Sequence, residues 1–133
     1  MDTNIKKLDI EVDLKSALPV YEQIKEKIKF LIISGYLKEN DRITPIRELA
    51  SKLQINQNTI VKVFYQLDVE GFLYSKRGSG YFVKSKQEKQ IKEKQKMFVE
   101  LTAHYAEKVI KLGFSEEVIV KEIRRKIQES EEK

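Results

Sequence analysis

The sequence predicts a mainly α-helical fold with one small β-hairpin, arranged as a winged helix-turn-helix domain followed by a two-helix C-terminal tail. Three observations predict it. Apolar residues recur at helical spacing in three consecutive segments before Gly71. Two short aromatic-rich segments then flank a glycine-containing turn, and helical spacing returns after Ser85. We therefore expect a winged domain over residues 1–84 and a helical region over residues 85–133.

Composition limits the classes of function. The 133 residues are 41% hydrophobic, enough for one modest core, and they include no cysteine and a single histidine, His104. Because the usual nucleophile–base and metal-ligand sets are missing, we expect neither an enzyme nor a metal or cofactor. The net charge of +5 admits a nucleic-acid partner without deciding for one.

The location expected from the sequence is a reduced cytoplasm, with no membrane partner. No apolar run approaches the ~20 residues that a membrane span needs. The first sixteen residues alternate charged and apolar side chains and so lack the continuous apolar stretch of a signal peptide. The absence of cysteine agrees with a reducing compartment.

The first part of the chain contains one predicted strand and one predicted helix. Strict alternation in "LDIEVDL", residues 8–14, predicts a short half-buried strand. Pro19 suits the first turn of a helix whose apolar residues run from Val20 to Ile32, and Gly35 suits its end. Asn40 fits a left-handed position in the following loop.

Two closely spaced helices and a hairpin come next. Thr44 is predicted to cap a second helix beginning at Pro45, and Asn56 to cap a third helix over about residues 56–70. Only about three residues separate these helices, which is the spacing of a helix-turn-helix. The strands "FLYSK" and "YFVKS" then flank the turn "RGSG".

The third helix has a polar face that a core does not need. At about 100° per residue one arc is apolar and predicted to be core, and it comprises Ile60, Val63, Phe64 and Leu67. The opposite face comprises Asn58, Val61, Lys62 and Tyr65, with Asn56, Gln57 and Thr59 at its N-terminal end. A solvated helix with a good cap is one explanation. In a helix-turn-helix, however, this element lies in the major groove and its N-terminal residues meet base edges, where amides suit adenine.

Basic residues outside this helix extend the predicted interface. Arg47 either pairs with a surface carboxylate such as Glu48 or Asp41, or binds guanine or phosphate through its planar fork. At the hairpin tip, residues 76–80, Lys76 and Arg77 precede Gly78. A turn glycine needs no functional explanation, but a basic, exposed tip also suits phosphates or the minor groove.

The tail carries an apolar stripe. Residues spaced seven apart, with near neighbours, form it in the first tail helix: Ile91, Phe98, Leu101, Tyr105, Val109 and Leu112. Gly113 ends that helix, and Ser115 is predicted to cap a last helix with an apolar edge of Val120, Ile123 and Ile127. We hypothesise that the stripe pairs with its copy in a second subunit. The alternative is that both helices fold back on their own winged domain in a monomer.

Residues 18–83 resemble the winged-helix domain of the GntR family of bacterial transcription regulators. The motifs "PVYEQI", "SGYL", "RELA", "LDVEGFL" and "RGSGYFV" occur in the family's order and spacing. The ending "AEKVIKLGFSEEVIVKEIRRKI" resembles the short two-helix tail of the YtrA-like subfamily, in which the tail serves dimerisation. The resemblance implies a homodimer, an inverted-repeat operator in double-stranded DNA and, typically, repression of nearby genes.

The resemblance also implies DNA contacts at particular positions: Arg47, Asn56, Asn58, Thr59 and Lys62, with Arg77 and Gly78 at the wing tip. The family's "LPS" before "VREL" is here "ITP" before "IREL", which moves the small hydroxyl to Thr44 and leaves its usual phosphate contact open. Val61 stands where the subfamily often has a small polar or basic residue, and it could touch a thymine methyl. The full predicted DNA-binding set is Arg47, Thr44, Asn56, Gln57, Asn58, Thr59, Val61, Lys62, Lys76, Arg77 and Gly78.

Two further questions concern partners. A winged-helix module that binds only proteins would carry acidic or apolar residues in place of the amides and Arg77, and this sequence has the opposite. A small-molecule effector could bind between the winged domain and the tail, but no residue identifies one.

Overall fold

A computed structural model describes residues 5–132, which form five helices and four short strands. The strands are β1 (Ile5–Lys6), β2 (Arg42–Ile43), β3 (Leu73–Lys76) and β4 (Gly80–Val83). The helices are α1 (Val20–Ile33), α2 (Ile46–Leu53), α3 (Gln57–Val69), α4 (Glu88–Lys111) and α5 (Glu116–Glu131). The predicted fold class, mainly α with a small hairpin and a two-helix tail, is confirmed.

The chain divides into two compact units, Met1–Lys94 and Gln95–Lys133. The division falls inside α4, so the first two turns of that helix belong to the first unit. None of the helices within residues 5–132 is long and apolar enough to cross a membrane.

The helix ends follow the local signals in the sequence. Pro19 is the N-cap of α1, and beyond the end of the helix Gly35 and Asn40 adopt left-handed conformations, with φ of 88° and 69°. The turn between α2 and α3 also contains a left-handed residue, Gln54, with φ of 55°. This conformation closes the short helix-turn-helix connection.

The predicted strand over residues 8–14 is wrong. The only strand of the N-terminal segment, within the part of the chain that the structure describes, is β1, which pairs in parallel with β2. Leu8 and Ile10 are buried as the alternation predicted, but their backbone is irregular. The Leu8 N–H donates to Thr44 Oγ1 at 2.9 Å and the Asp13 N–H to Gln23 Oε1 at 2.8 Å, so side chains replace a neighbouring strand as acceptors.

The predicted cap at Thr44 is also wrong. The N-cap of α2 is Pro45, without a side-chain hydrogen bond, and the helix begins at Ile46. Thr44 is only 2% exposed, and besides accepting from Leu8 its hydroxyl donates to the Lys6 carbonyl oxygen at 3.4 Å. These bonds attach the N-terminal segment to the sheet.

The core of the first unit lies between α1, α3 and a four-stranded sheet. The strand order is β1-β2-β4-β3, and the hairpin pairs Leu73 with Val83 and Lys76 with Gly80. The largest fully buried side chains come from every layer and include Leu8, Ile24, Ile28, Leu37, Ile43, Leu49, Phe64, Leu67, Leu73 and Val83. Since α3 supplies four residues that are wholly buried, one face of this helix is fixed by packing.

The second unit contains the rest of α4 and all of α5. Gly113, with φ of 92°, ends α4, and the Ser115 hydroxyl accepts from the Val118 N–H at 3.4 Å as the N-cap of α5, as predicted. Among the residues that the sequence assigned to dimerisation, Val109 is half-buried and the others are exposed. The Phe98 side chain, for example, is 64% exposed. Most of the side chains in this stripe are therefore exposed.

Candidate nucleic-acid interface

The start of α3 is capped as the sequence predicted. The Asn56 side-chain oxygen accepts a hydrogen bond from the Asn58 N–H at 2.8 Å, which satisfies one of the donors that a helix N-terminus leaves free. Asn56, Gln57 and Asn58 are exposed and Thr59 is half-buried. The amide-rich turn therefore lies at the surface, with the positive end of the helix dipole behind it.

Opposite faces of α3 differ sharply in burial. The predicted core residues Ile60, Val63, Phe64 and Leu67 are 0% exposed. On the other side Asn58 and Lys62 are exposed, Val61 is 43% exposed and Tyr65 is 60% exposed. The packing of the core thus orients one polar face of the helix away from the protein, and that face contains an apolar side chain at Val61.

Lys62 is oriented by a residue that the sequence analysis did not select. Its ammonium lies over the Tyr21 ring, 5.6 Å from the centroid, in a cation–π contact between α3 and the first turn of α1. The motif "PVYEQI" contains this tyrosine, but nothing in its local pattern links it to a lysine forty-one positions later. The contact leaves the exposed ammonium with hydrogen donors available for a ligand.

Arg47 projects from the first turn of α2 and is exposed. Within residues 5–132 it forms no ion pair with Glu48 or Asp41, so the alternative of a paired surface charge is not realised in this structure. Asp41 instead accepts from the Lys38 N–H at 2.8 Å. The Arg47 guanidinium therefore keeps its donors for a partner.

The wing is a short basic hairpin. Arg77 and Gly78 are exposed at its tip, and Gly78 has a positive φ of 79°. The Lys76 ammonium lies over the Phe82 ring at 5.1 Å, which holds this lysine along the hairpin. Beside the tip, a Cβ on Gly80 would stand 3.6 Å from Arg42 Nε, so the Arg42 side chain packs against the backbone of the wing.

Thr44 differs from the other predicted DNA-binding residues. Its side chain is buried and both of its hydrogen bonds stay within the protein. We therefore leave Thr44 out of the interface. Among residues 5–132 no group of three or more histidine, cysteine or acidic side chains could hold a metal ion.

The arrangement defines a class of protein. Two helices joined by a tight turn, a second helix with a polar exposed face, and a basic wing together make a winged helix-turn-helix whose chemistry suits DNA. The sequence pattern described as "Bacterial regulatory proteins, gntR family" matches residues 20–83.

A relative matches a longer part of the chain than the family pattern does. The chain is 33% identical over 105 residues to the "HTH-type transcriptional repressor YtrA" of Bacillus subtilis, covering 73% of this chain and 80% of that protein. The chain belongs to the GntR family and is a DNA-binding transcription regulator.

Solved structures of GntR-family proteins are also similar to this chain. A GntR family transcriptional regulator from Listeria monocytogenes superposes with a TM-score of 0.67 at 26% identity, covering 84% of this chain and 98% of that one. YtrA from Sulfolobus acidocaldarius, described as a GntR-family transcription factor, superposes with a TM-score of 0.56 at 35% identity, covering 73% of this chain and 95% of that one. Both cover residues beyond the winged domain alone.

Proposed function

We propose that the protein represses transcription by binding an inverted-repeat DNA operator as a homodimer, with α3 in the major groove and the wing tip, residues 76–80, near the minor groove. The observation that carries the proposal is the division of α3 into a fully buried apolar face and an exposed polar face. A helix held in this way presents its N-terminal side chains to base edges. A regulator that binds such an operator would act in the bacterial cytoplasm.

The proposed contacts divide by chemistry. Asn58 and Gln57 carry amides that can donate and accept together, as adenine requires, and Val61 suits a thymine methyl. Lys62 suits the phosphate backbone, and Arg47 suits guanine or phosphate. The complete proposed set is Arg47, Asn56, Gln57, Asn58, Thr59, Val61, Lys62, Lys76, Arg77 and Gly78.

The homodimer is supported by the apolar surface of the tail. Within the second unit, a groove of about 820 Å³ lies between the end of α4 and α5, and its apolar lining includes Tyr105, Val109, Phe114 and Val118. Contiguous apolar surface of this kind commonly marks a protein interface. A second copy would cover it symmetrically and would supply the second recognition helix that an inverted repeat needs.

The direction of regulation rests on the relatives. The Bacillus subtilis relative that is 33% identical over 105 residues is named a transcriptional repressor. A dimer bound over a promoter would block access by occupying the DNA, without any catalytic group. A small-molecule effector remains a sequence-based prediction without assigned residues.

Selection of bound fragments from the source genome tests the proposal most directly. We expect a short inverted repeat, and we expect affinity for it to fall steeply as salt is added because phosphate contacts release counterions. Arg47→Ala should weaken this binding, whereas Lys108→Ala, which removes one positive charge from the second unit, should not. Recovery of fragments without a shared sequence would contradict an operator.

A further inference from the structure

The side chain of Gln90 is buried where α4 begins. Gln90 is 4% exposed, and its amide donates to the backbone carbonyl of Gly71 at 3.1 Å and to that of Ser85 at 3.3 Å. Gly71 follows Glu70, the C-cap of α3. This one amide therefore attaches the first turn of α4 to the end of the proposed recognition helix.

Lys29 makes a second, ionic attachment at the same place. It belongs to α1 and is only 6% exposed. Its ammonium lies 3.1 Å from a Glu70 oxygen, 3.3 Å from Glu93 and 3.8 Å from Glu26, and 5.3 Å from the centre of the Phe72 ring. Since Glu70 is the C-cap of α3 and Glu93 lies in α4, one cation joins three helices.

These contacts are specific in geometry. The Lys29 ammonium lies within 3.3 Å of carboxylate oxygens of both Glu70 and Glu93, so turning or sliding α4 by one residue would break the Glu93 pair in a nearly buried position. Breaking a buried pair is costly because it leaves a charge without its partner. Every residue of this cluster lies in the unit Met1–Lys94, whereas α4 itself continues to Lys111 and carries the apolar stripe.

We propose that Gln90 and Glu93 determine which spacing between two operator half-sites the protein accepts. The inference rests on the proposed homodimer. In a two-fold dimer the distance between recognition helices selects the half-site spacing. The helix that carries the dimerisation stripe begins in contacts with the end of the recognition helix, so those contacts control how the stripe and the recognition helix are connected.

The test uses the full chain and the operator recovered by genomic selection. The spacer between its half-sites is shortened and lengthened one base pair at a time, and each duplex is titrated. For the wild type we expect one preferred spacing that binds about 100-fold or more tightly than a single half-site. For the double variant Gln90→Ala/Glu93→Ala we expect affinities within about threefold across the series, as for two heads joined flexibly.

Control variants separate this role from general damage. Glu88→Ala/Lys92→Ala removes an exposed ion pair from the same turns of α4 and should keep the wild-type profile. Affinity for a single half-site should be equal in all three proteins, because Lys29 keeps Glu70 and Glu26 in the double variant. A double variant that keeps the wild-type spacing preference overturns the inference.

A single variant and the single half-site give two further tests. If the double variant does not fold, Glu93→Gln is tested on the same series, and an unchanged profile for that variant also overturns the inference. If the wild type binds one half-site as tightly as the repeat, the proposed homodimer on DNA has failed, and the inference fails with it.

Discussion

Lys62 of α3 lies over the ring of Tyr21 in α1, with 5.6 Å between the ammonium and the ring centroid. The two residues are forty-one positions apart in the sequence and meet because α1 and α3 pack against each other in the core. The contact restricts a flexible side chain whose proposed partner is a phosphate. A lysine ordered before binding loses less conformational entropy when it binds.

Tyr21→Leu should therefore weaken DNA binding through Lys62. An exposed cation–π contact contributes about 0.5–1 kcal/mol, so the expected loss of affinity is about 2–5-fold. Tyr21→Phe keeps the ring and should bind as the wild type does. DNA titrations of Tyr21→Leu, Lys62→Ala and the double variant form a double-mutant cycle. If Tyr21→Leu lowered the affinity equally in the wild type and in Lys62→Ala, Tyr21 would act independently of Lys62.

Asn58→Ala and Lys62→Ala should have different effects on specificity. We expect Asn58→Ala to cost about 1–3 kcal/mol on the operator and little on an unrelated duplex, since an amide to a base edge carries sequence information. Lys62→Ala should weaken both duplexes and reduce the slope of log affinity against log salt by about 1. Competition titrations of the operator and the unrelated duplex at several salt concentrations measure both the change in specificity and the change in salt dependence. Loss of affinity for both duplexes in Asn58→Ala would reject its assignment to a base.

Thr44→Val should destabilise the protein without changing its interface. The substitution leaves the Leu8 N–H without its acceptor in a buried place, which costs about 1–3 kcal/mol. Urea unfolding measures the loss, and Thr44→Ser, which keeps the hydroxyl, is the control. Under conditions where both variants are folded, we expect equal operator affinity. If Thr44→Val lost operator affinity and Thr44→Ser did not, the result would support a contact between the Thr44 hydroxyl and a DNA phosphate.

Stability should fall in acid through Glu70. Burial alone would raise the pKa of this carboxyl, but hydrogen bonds from Lys25 and Lys29, with their positive charges, outweigh burial and hold the pKa below its ordinary value of 4.5. A carboxyl with a lowered folded-state pKa contributes stability that is fully present above 4.5 and is lost as the pH falls through the lower folded value.

Urea unfolding of Glu70→Gln at neutral pH and in acid checks this linkage. The variant should be less stable than the wild type at neutral pH, and the difference should shrink below pH 4.5, where the wild-type carboxyl takes up its proton. Glu100→Gln, an exposed carboxyl in the second unit, is the control and should leave the pH dependence unchanged. A difference between Glu70→Gln and the wild type that does not vary with pH would contradict the linkage.

Phe98→Glu should convert the proposed dimer to a monomer. A carboxylate in the centre of an apolar interface loses its water without gaining a partner. Sedimentation equilibrium at micromolar concentration measures the association, and Lys96→Glu places the same carboxylate at an exposed polar position of the same helix as a control. A wild-type protein that sediments as a monomer would contradict the dimer directly.

Local signals in the sequence determined most of the elements. The period of the apolar residues gave α3 its buried face, and Asn56, Ser115 and the glycines at positions 35 and 113 marked helix ends through hydrogen bonds and backbone conformations that involve only neighbouring residues. The exposed polar face of α3 was also predictable, because the side of a helix opposite its buried apolar residues faces away from the core.

Tertiary structure decided what depends on residues far apart in the chain. Thr44 resembled a helix cap locally, yet its hydroxyl bonds to the segment around Lys6 and Leu8, and that segment in turn has no neighbouring strand along residues 8–14. Lys29 is one of several charged residues interleaved with the apolar residues of α1, and it is buried beside Glu70 and Glu93, which come from the end of α3 and from α4. Periodicity reports which face of an element is apolar, whereas the partner of a buried polar group is fixed only when distant segments pack together.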